Sequence, residues 1–211
     1  TSDSFVNASQ SGRYWYKAEY ESHNTVYGAN PVFIKIDPAP LTLGSDLTPQ
    51  KVYDSTKDVE VTGEYVDGAR NDESISVTAV TAVYDDENVD PDKTITITYT
   101  LIFGEGADPD NYTVNTGTVE KNGTKWTVKV MQDDGEITKA PVTITIGSQN
   151  DVYDGRPAEL AQEEGAAWSV TDGQFYKGDA VAVELSAENA VDAKTYTITG
   201  TASGNDAGNY D

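Results

Sequence analysis

The sequence predicts an all-β chain built from tandem, sandwich-like (Ig-like) modules. Three observations carry this. Apolar residues alternate with threonine and small polar residues at period two. The alternating runs are separated by Asn-Gly and Asp-Gly dipeptides, which tight hairpin turns demand. Three short markers recur in one order about a domain length apart.

Along the chain, Gly12-Arg13-Tyr14-Trp15-Tyr16-Lys17-Ala18 and Val32-Phe33-Ile34-Lys35-Ile36 read as strands, followed by Pro40-Leu41-Thr42-Leu43. Ile75-Ser76-Val77-Thr78-Ala79-Val80 alternates at period two, and Lys93-Thr94-Ile95-Thr96-Ile97-Thr98-Tyr99-Thr100-Leu101 does so most clearly, placing Ile95, Ile97 and Tyr99 on one face. Trp126, Val128 and Val130 alternate with Thr127, Lys129 and Met131, and Lys194-Thr195-Tyr196-Thr197-Ile198-Thr199 repeats the threonine-rich pattern. Gly104-Glu105-Gly106, Asp108-Pro109-Asp110, Asn122-Gly123 and Asp134-Gly135 read as the turns between them. Only residues 157–164 have helical composition, with a weak apolar stripe. A β-grasp arrangement is the alternative fold, and it needs that segment to be a helix lying on the sheet.

The markers are spaced by 101 residues from Pro40 to Pro141, 100 from Tyr53 to Tyr153 and 98 from Tyr112 to Tyr210. They divide the chain into the closing part of one module (1–39), a whole module (40–139) and a second module that lacks its last strand (140–211). The piece reads as excised from the interior of a longer protein. Residues 40–112 and 140–210 are expected to superpose. The edge strand at 32–36 and the strand missing after Tyr210 are expected to complement one another, giving head-to-tail self-association.

At these markers the sequence resembles the YDG and MBG families of bacterial surface repeats, known by a Lys-x-Tyr-Asp-Gly signature and a later Asn-Tyr. The signature stands here as Lys51-Val52-Tyr53-Asp54-Ser55 and as Asp151-Val152-Tyr153-Asp154-Gly155. The later segment is matched by Asn111-Tyr112 and Asn209-Tyr210. Ser55 replaces the signature glycine, and Asp151 replaces the signature lysine. The resemblance implies a non-catalytic repeat region of a Gram-positive type surface or secreted protein, acting as stalk, spacer or adhesive display module. Neighbouring repeats of the same protein are the first partners it implies, then a host or environmental glycan or protein, and the location it implies is extracellular. Independently of the family, each Asp is placed to cap a turn by accepting an N–H two residues on, with the tyrosine ring filling the end of the core.

Composition narrows the chemistry. The net charge of -22 disfavours nucleic acid and anionic membrane surfaces as partners. No run approaches the ~20 apolar residues of a membrane span, and residues 1–11 lack the basic and apolar regions of a signal peptide. The absence of cysteine removes disulfides, thiolate metal sites and a cysteine nucleophile. His23 is the lone histidine, so an ordinary zinc site is excluded, and without a Gly-x-Ser-x-Gly elbow it reads as a loop residue. No catalytic residue is assigned. Calcium is the one cofactor for which candidate ligands exist: Asp90, Asp92, Asp108 and Asp110 place oxygens at alternate loop positions. No loop offers the roughly five or more ligands of a tight site, so folding is expected not to need calcium. Consecutive Tyr14, Trp15 and Tyr16 must leave at least one ring facing away from a core, a candidate glycan- or protein-binding patch. A carbohydrate-binding accessory module of a secreted enzyme is therefore the alternative function. Lys93 and Lys194 are the lysines that an intramolecular isopeptide bond would use, given a buried asparagine and acid beside them.

Overall fold

The computed structural model describes residues 12–14, 17–20, 25–28 and 32–211. Among the described residues the regular structure is strand, with two short 3-10 turns and no α-helix. The all-β expectation holds. The chain forms two compact units, one from residues up to Leu47 with Val61–Ala82 and Thr96–Met131, the other from Thr48–Glu60, Val83–Ile95 and Gln132–Asp211.

Near the N-terminus, β1 (Gly12–Tyr14) pairs antiparallel with β4 (Val32–Ile34), and β2 (Lys17–Tyr20) with β3 (Thr25–Gly28). An eight-stranded sheet follows, made of β5 (Ala39–Thr48), β6 (Gln50–Val52), β7 (Asp58–Asp67), β8 (Ile75–Tyr84), β9 (Asp90–Phe103), β10 (Tyr112–Val114), β11 (Thr118–Asn122) and β12 (Lys125–Thr138). Its order is β10-β5-β7-β8-β9-β12-β11, and β6 pairs with β12 as well. Pro49 alone separates β5 from β6, so the chain passes from the β5 side of the sheet directly onto β12, and the sheet curls. Pro49 has no N–H for a ladder, but its carbonyl accepts from Glu136 N–H (2.9 Å) and Tyr84 Oη (2.9 Å).

Threonine alternation sets the core, as expected. In β9 Lys93, Ile95, Ile97, Tyr99, Leu101 and Phe103 are buried while the threonines between them are half-buried. Each apolar side chain so buried contributes roughly 1.5–3 kcal/mol. In the first unit Phe103 packs on Trp126 at 4.6 Å between ring centroids and on Tyr112 at 5.9 Å. Asn122 pairs with Lys125 around Gly123 (φ 57°), the expected tight hairpin. Asp134-Gly135 is not the expected turn. It lies inside β12, where a Cβ on Gly135 would come within 2.9 Å of the Lys93 carbonyl oxygen and of the Tyr84 ring, so this glycine serves close packing.

Beyond Ala140, β13 (Thr143–Ile146) pairs antiparallel with β14 (Trp168–Asp172), and β15 (Ala182–Ser186) with β16 (Thr199–Ser203). Ala167, Trp168, Val183 and Leu185 form their core, with Leu160, Phe175 and Ile198 packed against it. Residues 157–164 are not helical, so the condition for a β-grasp is absent. Their polar groups bond outward instead: Ala158 N–H to the Ala190 carbonyl, Ala161 N–H to Gln149, and Gln162 to the Leu185 backbone through both ends of its amide.

The two marker-bearing segments share local geometry. Ala39 pairs in parallel with Tyr112, and Ala140 with Tyr210. A 3-10 turn precedes each of those tyrosines, at Pro109–Asn111 and Ala207–Asn209. Asp67 and Asp172 each accept the N–H of the following glycine, Gly68 or Gly173, both at positive φ.

Candidate functional site

Within the second unit, the first Tyr-Asp marker and the last Asn-Tyr marker meet at one carboxylate. β6 places Tyr53: Gln50–Val52 runs parallel to Glu136–Thr138 of β12, and Tyr53 N–H extends the ladder to the Thr138 carbonyl (2.8 Å). The Tyr53 ring is 2% exposed and stands edge-on to Tyr176 (5.7 Å) and Tyr210 (5.5 Å), with Phe175 edge-on to Tyr210 at 5.0 Å. Such edge-to-face contacts match the positive ring edge to the negative ring face.

Asp179 collects the hydroxyls. Tyr210 Oη and Tyr53 Oη both donate to Oδ2, at 2.6 and 2.7 Å, and Ser55 Oγ donates to Oδ1 at 3.2 Å. Tyr210 Oη in turn accepts the Tyr176 N–H (2.8 Å). Burial works against the charged form of Asp179, but the hydrogen bonds from Tyr210, Tyr53 and Ser55 outweigh it and hold the carboxyl below its ordinary range. Burial first, and then donation to Asp179, pushes Tyr53 up to about 12 and raises Tyr210 as well.

Around this cluster the same marker residues fasten neighbouring loops. Asn209, also buried, accepts the Val89 N–H on Oδ1 (2.9 Å) and donates to Asn88 Oδ1 (3.2 Å). Asp54 accepts the N–H of Thr56 two residues on, as expected (2.9 Å). Lys51 Nζ donates to Asp54 (2.7 Å), to the hydroxyl and carbonyl of Thr56 and to the Asp58 carbonyl, closing the loop on itself. Burial opposes ionisation of Asp54, yet Lys51 and Thr56 together lower its carboxyl. Nearby, Lys93 is 2% exposed and paired with Asp85 (3.1 Å) and Asp86. Burial disfavours its charge, but those two carboxylates hold it raised.

The second Tyr-Asp marker has different surroundings. Asp154 caps its turn through the Arg156 N–H (2.8 Å), but Tyr153 is 65% exposed and Val152 84% exposed, and residues 150–152 lie in no strand. Asp151, where the signature has lysine, accepts the Val152 N–H and cannot donate as Lys51 does. A cleft of about 360 Å³ opens there, lined by Asn150, Val152, Tyr153, Ala190, Lys194 and Tyr196 among others.

The other candidates are placed as follows. Asp90 and Asp92 open β9, with Asp90 capping the Asp92 N–H. Asp108 accepts the Asp110 N–H at the 3-10 turn. Among the described residues no group of three or more His, Asp or Glu is arranged to hold a metal. Lys93 sits between carboxylates, and Lys194 lies over the Tyr196 ring at 5.0 Å. Tyr14 ends β1, opposite Val32, while its side chain, Trp15, Tyr16 and His23 lie outside the described residues. Sequence reasoning missed Asp179, Tyr176 and Asn88.

Residues 37–119 match the YDG domain. The match takes in Tyr53-Asp54 and Asn111-Tyr112. The first Tyr-Asp marker of the cluster thus belongs to the YDG segment, and Asp179 and Tyr210 lie beyond it. No curated protein and no solved structure matches the chain.

Proposed function

We propose that this chain is a non-catalytic run of β repeats, divided as 40–139 and 140–211 after the tail of an earlier repeat, which acts as stalk, spacer or adhesive display segment of a bacterial surface or secreted protein. The observation that carries the reading is the joint. Tyr53 of the first repeat is received by Asp179 and Tyr210 of the second, and Asn209 of the second accepts the Val89 N–H and donates to the Asn88 side chain of the first. A spacer needs its repeats to hold a set orientation, and a half-buried, charge-assisted phenol–carboxylate contact does that without a large hydrophobic interface. The cluster also suits structure better than turnover. Asp179 is held ionised by three donors, and its phenols are raised away from the pH at which they would act as bases. The net charge of -22 suits a segment displayed at high local density. Modules of the sandwich type remain the fold this reading favours.

Protease shaving of intact producing cells tests the reading. Release of peptides from this segment before lysis is the expected result. A segment released only after lysis would overturn it.

A further inference from the structure

Resting on the repeat reading above, we infer that Val152-Tyr153 and the cleft beside them form a docking face for a second copy of this chain, which brings its own Glu73–Tyr112 pair to Tyr153. Inside the chain a Tyr-Asp marker is seated by three things: a parallel strand alongside its preceding residues (Glu136–Thr138 on Gln50–Val52), a carboxylate–tyrosine pair (Asp179 with Tyr210), and an asparagine reaching the loop that precedes the threonine-rich strand (Asn209 on Asn88–Val89). The second repeat presents the side that is to be seated. Tyr153 and Val152 are exposed, residues 150–152 lie in no strand, and Glu188-Asn189-Ala190 stands 101 residues after Glu87-Asn88-Val89, as Lys194 stands after Lys93.

The N-terminal side of the chain carries the complementary pieces. Tyr112 Oη donates to Glu73 Oε2 (2.7 Å) and accepts the Arg70 N–H (3.0 Å), as Tyr210 donates to Asp179 and accepts the Tyr176 N–H. In both cases the carboxylate lies three residues after the N–H donor, in a turn closed by a backbone bond, Glu73 to Arg70 or Asp179 to Tyr176. Glu73 Oε2 accepts one phenol where Asp179 Oδ2 accepts two. Asn111 occupies the position of Asn209. Lys35, Ile36 and Asp37 stand 101 residues before Glu136, Ile137 and Thr138, and Ile34 beside them is 37% exposed. Ala39 pairs with Tyr112 as Ala140 pairs with Tyr210. A second copy can therefore repeat the internal joint head to tail, with residues 35–37 along 150–152 and Tyr153 donating to Glu73. Because Ala69 and Arg70 stand where Phe175 and Tyr176 stand, this contact lacks two aromatic walls and is weaker than the internal one.

Sedimentation equilibrium of the full chain from about 10 μM to 1 mM tests this. The ionic strength should be about 0.15 and 0.5 M, because two molecules of charge -22 repel and salt relieves that. The expected result is a mass that rises with concentration and more steeply at the higher salt. Tyr153→Phe should weaken association by about tenfold, the loss of one hydrogen bond to a carboxylate. Tyr153→Ala and Glu73→Ala should each be monomeric alone, and a one-to-one mixture should form a dimer and nothing larger, because each copy then keeps one good face. A wild-type chain monomeric to 1 mM overturns the inference, as does association unmoved by Tyr153→Ala. Tyr153 is exposed, so that variant folds whatever becomes of Glu73→Ala. The repeat reading itself fails on a different measurement, the stability of the internal joint.

Discussion

Ser55 sits where the backbone is left-handed (φ 61°), a region that costs a side-chain-bearing residue about 1 kcal/mol and a glycine little. The equivalent Gly155 has φ 80°. This accounts for a glycine in the Tyr-Asp-Gly signature and for what a serine gains instead, a hydroxyl bonded to Asp179. Ser55→Ala keeps the strain and loses the bond, so urea unfolding should show a loss of about 1–2 kcal/mol, while Ser55→Gly should lie within about 1 kcal/mol of the parent. Tyr53 and Asp179 set the pH range. The fold keeps Tyr53 protonated up to about 12 against 10.0 in the unfolded chain, so its contribution is intact below pH 10 and disappears as pH rises through 12. Asp54, Asp86 and Asp179 are shifted the other way, so theirs is intact above the ordinary carboxylate range and is lost on acidification. Stability against pH should therefore show a neutral plateau with two falling limbs, and Tyr53→Phe should lower the plateau by about 1–3 kcal/mol while flattening the alkaline limb. An unchanged alkaline limb in that variant would show that Tyr53 does not titrate as its surroundings dictate.

At the scale of elements, the turns after β7 and β14 depend on glycine. A Cβ on Gly68 would lie 2.5 Å from the Pro40 carbonyl oxygen, and one on Gly173 2.2 Å from that of Pro141, with φ of 102° and 72°. Gly68→Ala and Gly173→Ala should each cost more than about 2 kcal/mol, whereas Gly106→Ala, at φ 88° in open space, should cost only the strain of about 1 kcal/mol. Equal losses at all three positions in chemical denaturation would mean that the close approach to the proline carbonyls does not matter. Strands β8, β9 and β12 were readable from the sequence, because period-two alternation reports burial directly, and Ile95, Ile97 and Tyr99 are buried on the one face it gave them. Asp134-Gly135 was misread because the same dipeptide serves a turn and a strand position where a neighbour comes too close for a Cβ. Asp179 was not readable at all. It meets Tyr53 across 126 residues, and nothing local distinguishes its Lys-Gly-Asp turn from the other acidic turns. Nor could identical markers reveal that Tyr53 is buried and Tyr153 exposed, since the difference lies in what is packed around them.

For the whole molecule the question is whether the connection at Lys139–Ala140 behaves as a linker or as part of a compact unit. A linker between independent modules is cut readily, because few contacts hold its backbone. Here the backbone is held on both sides: the Thr138 carbonyl accepts the Tyr53 N–H, and Ala140 exchanges hydrogen bonds with Asn209 and Asp211. Lys139 is itself exposed, so trypsin can reach its side chain but must wait for the strand to open. When reclosing outpaces cleavage, the rate of cutting tracks the population of the opened form. Loosening the joint by about 1.4 kcal/mol should therefore speed that cut about tenfold. Asp179→Asn removes the charge that three hydroxyls share, and Tyr53→Phe removes one of those hydroxyls. Limited trypsinolysis followed by mass spectrometry should find cleavage after Lys139 slow in the parent chain and faster by about tenfold in either variant, with cleavage after Lys35 unchanged as the internal reference. A parent chain cut after Lys139 as readily as after Lys35, with no response to either substitution, would mean that the Tyr53–Asp179–Tyr210 cluster does not hold the repeats together.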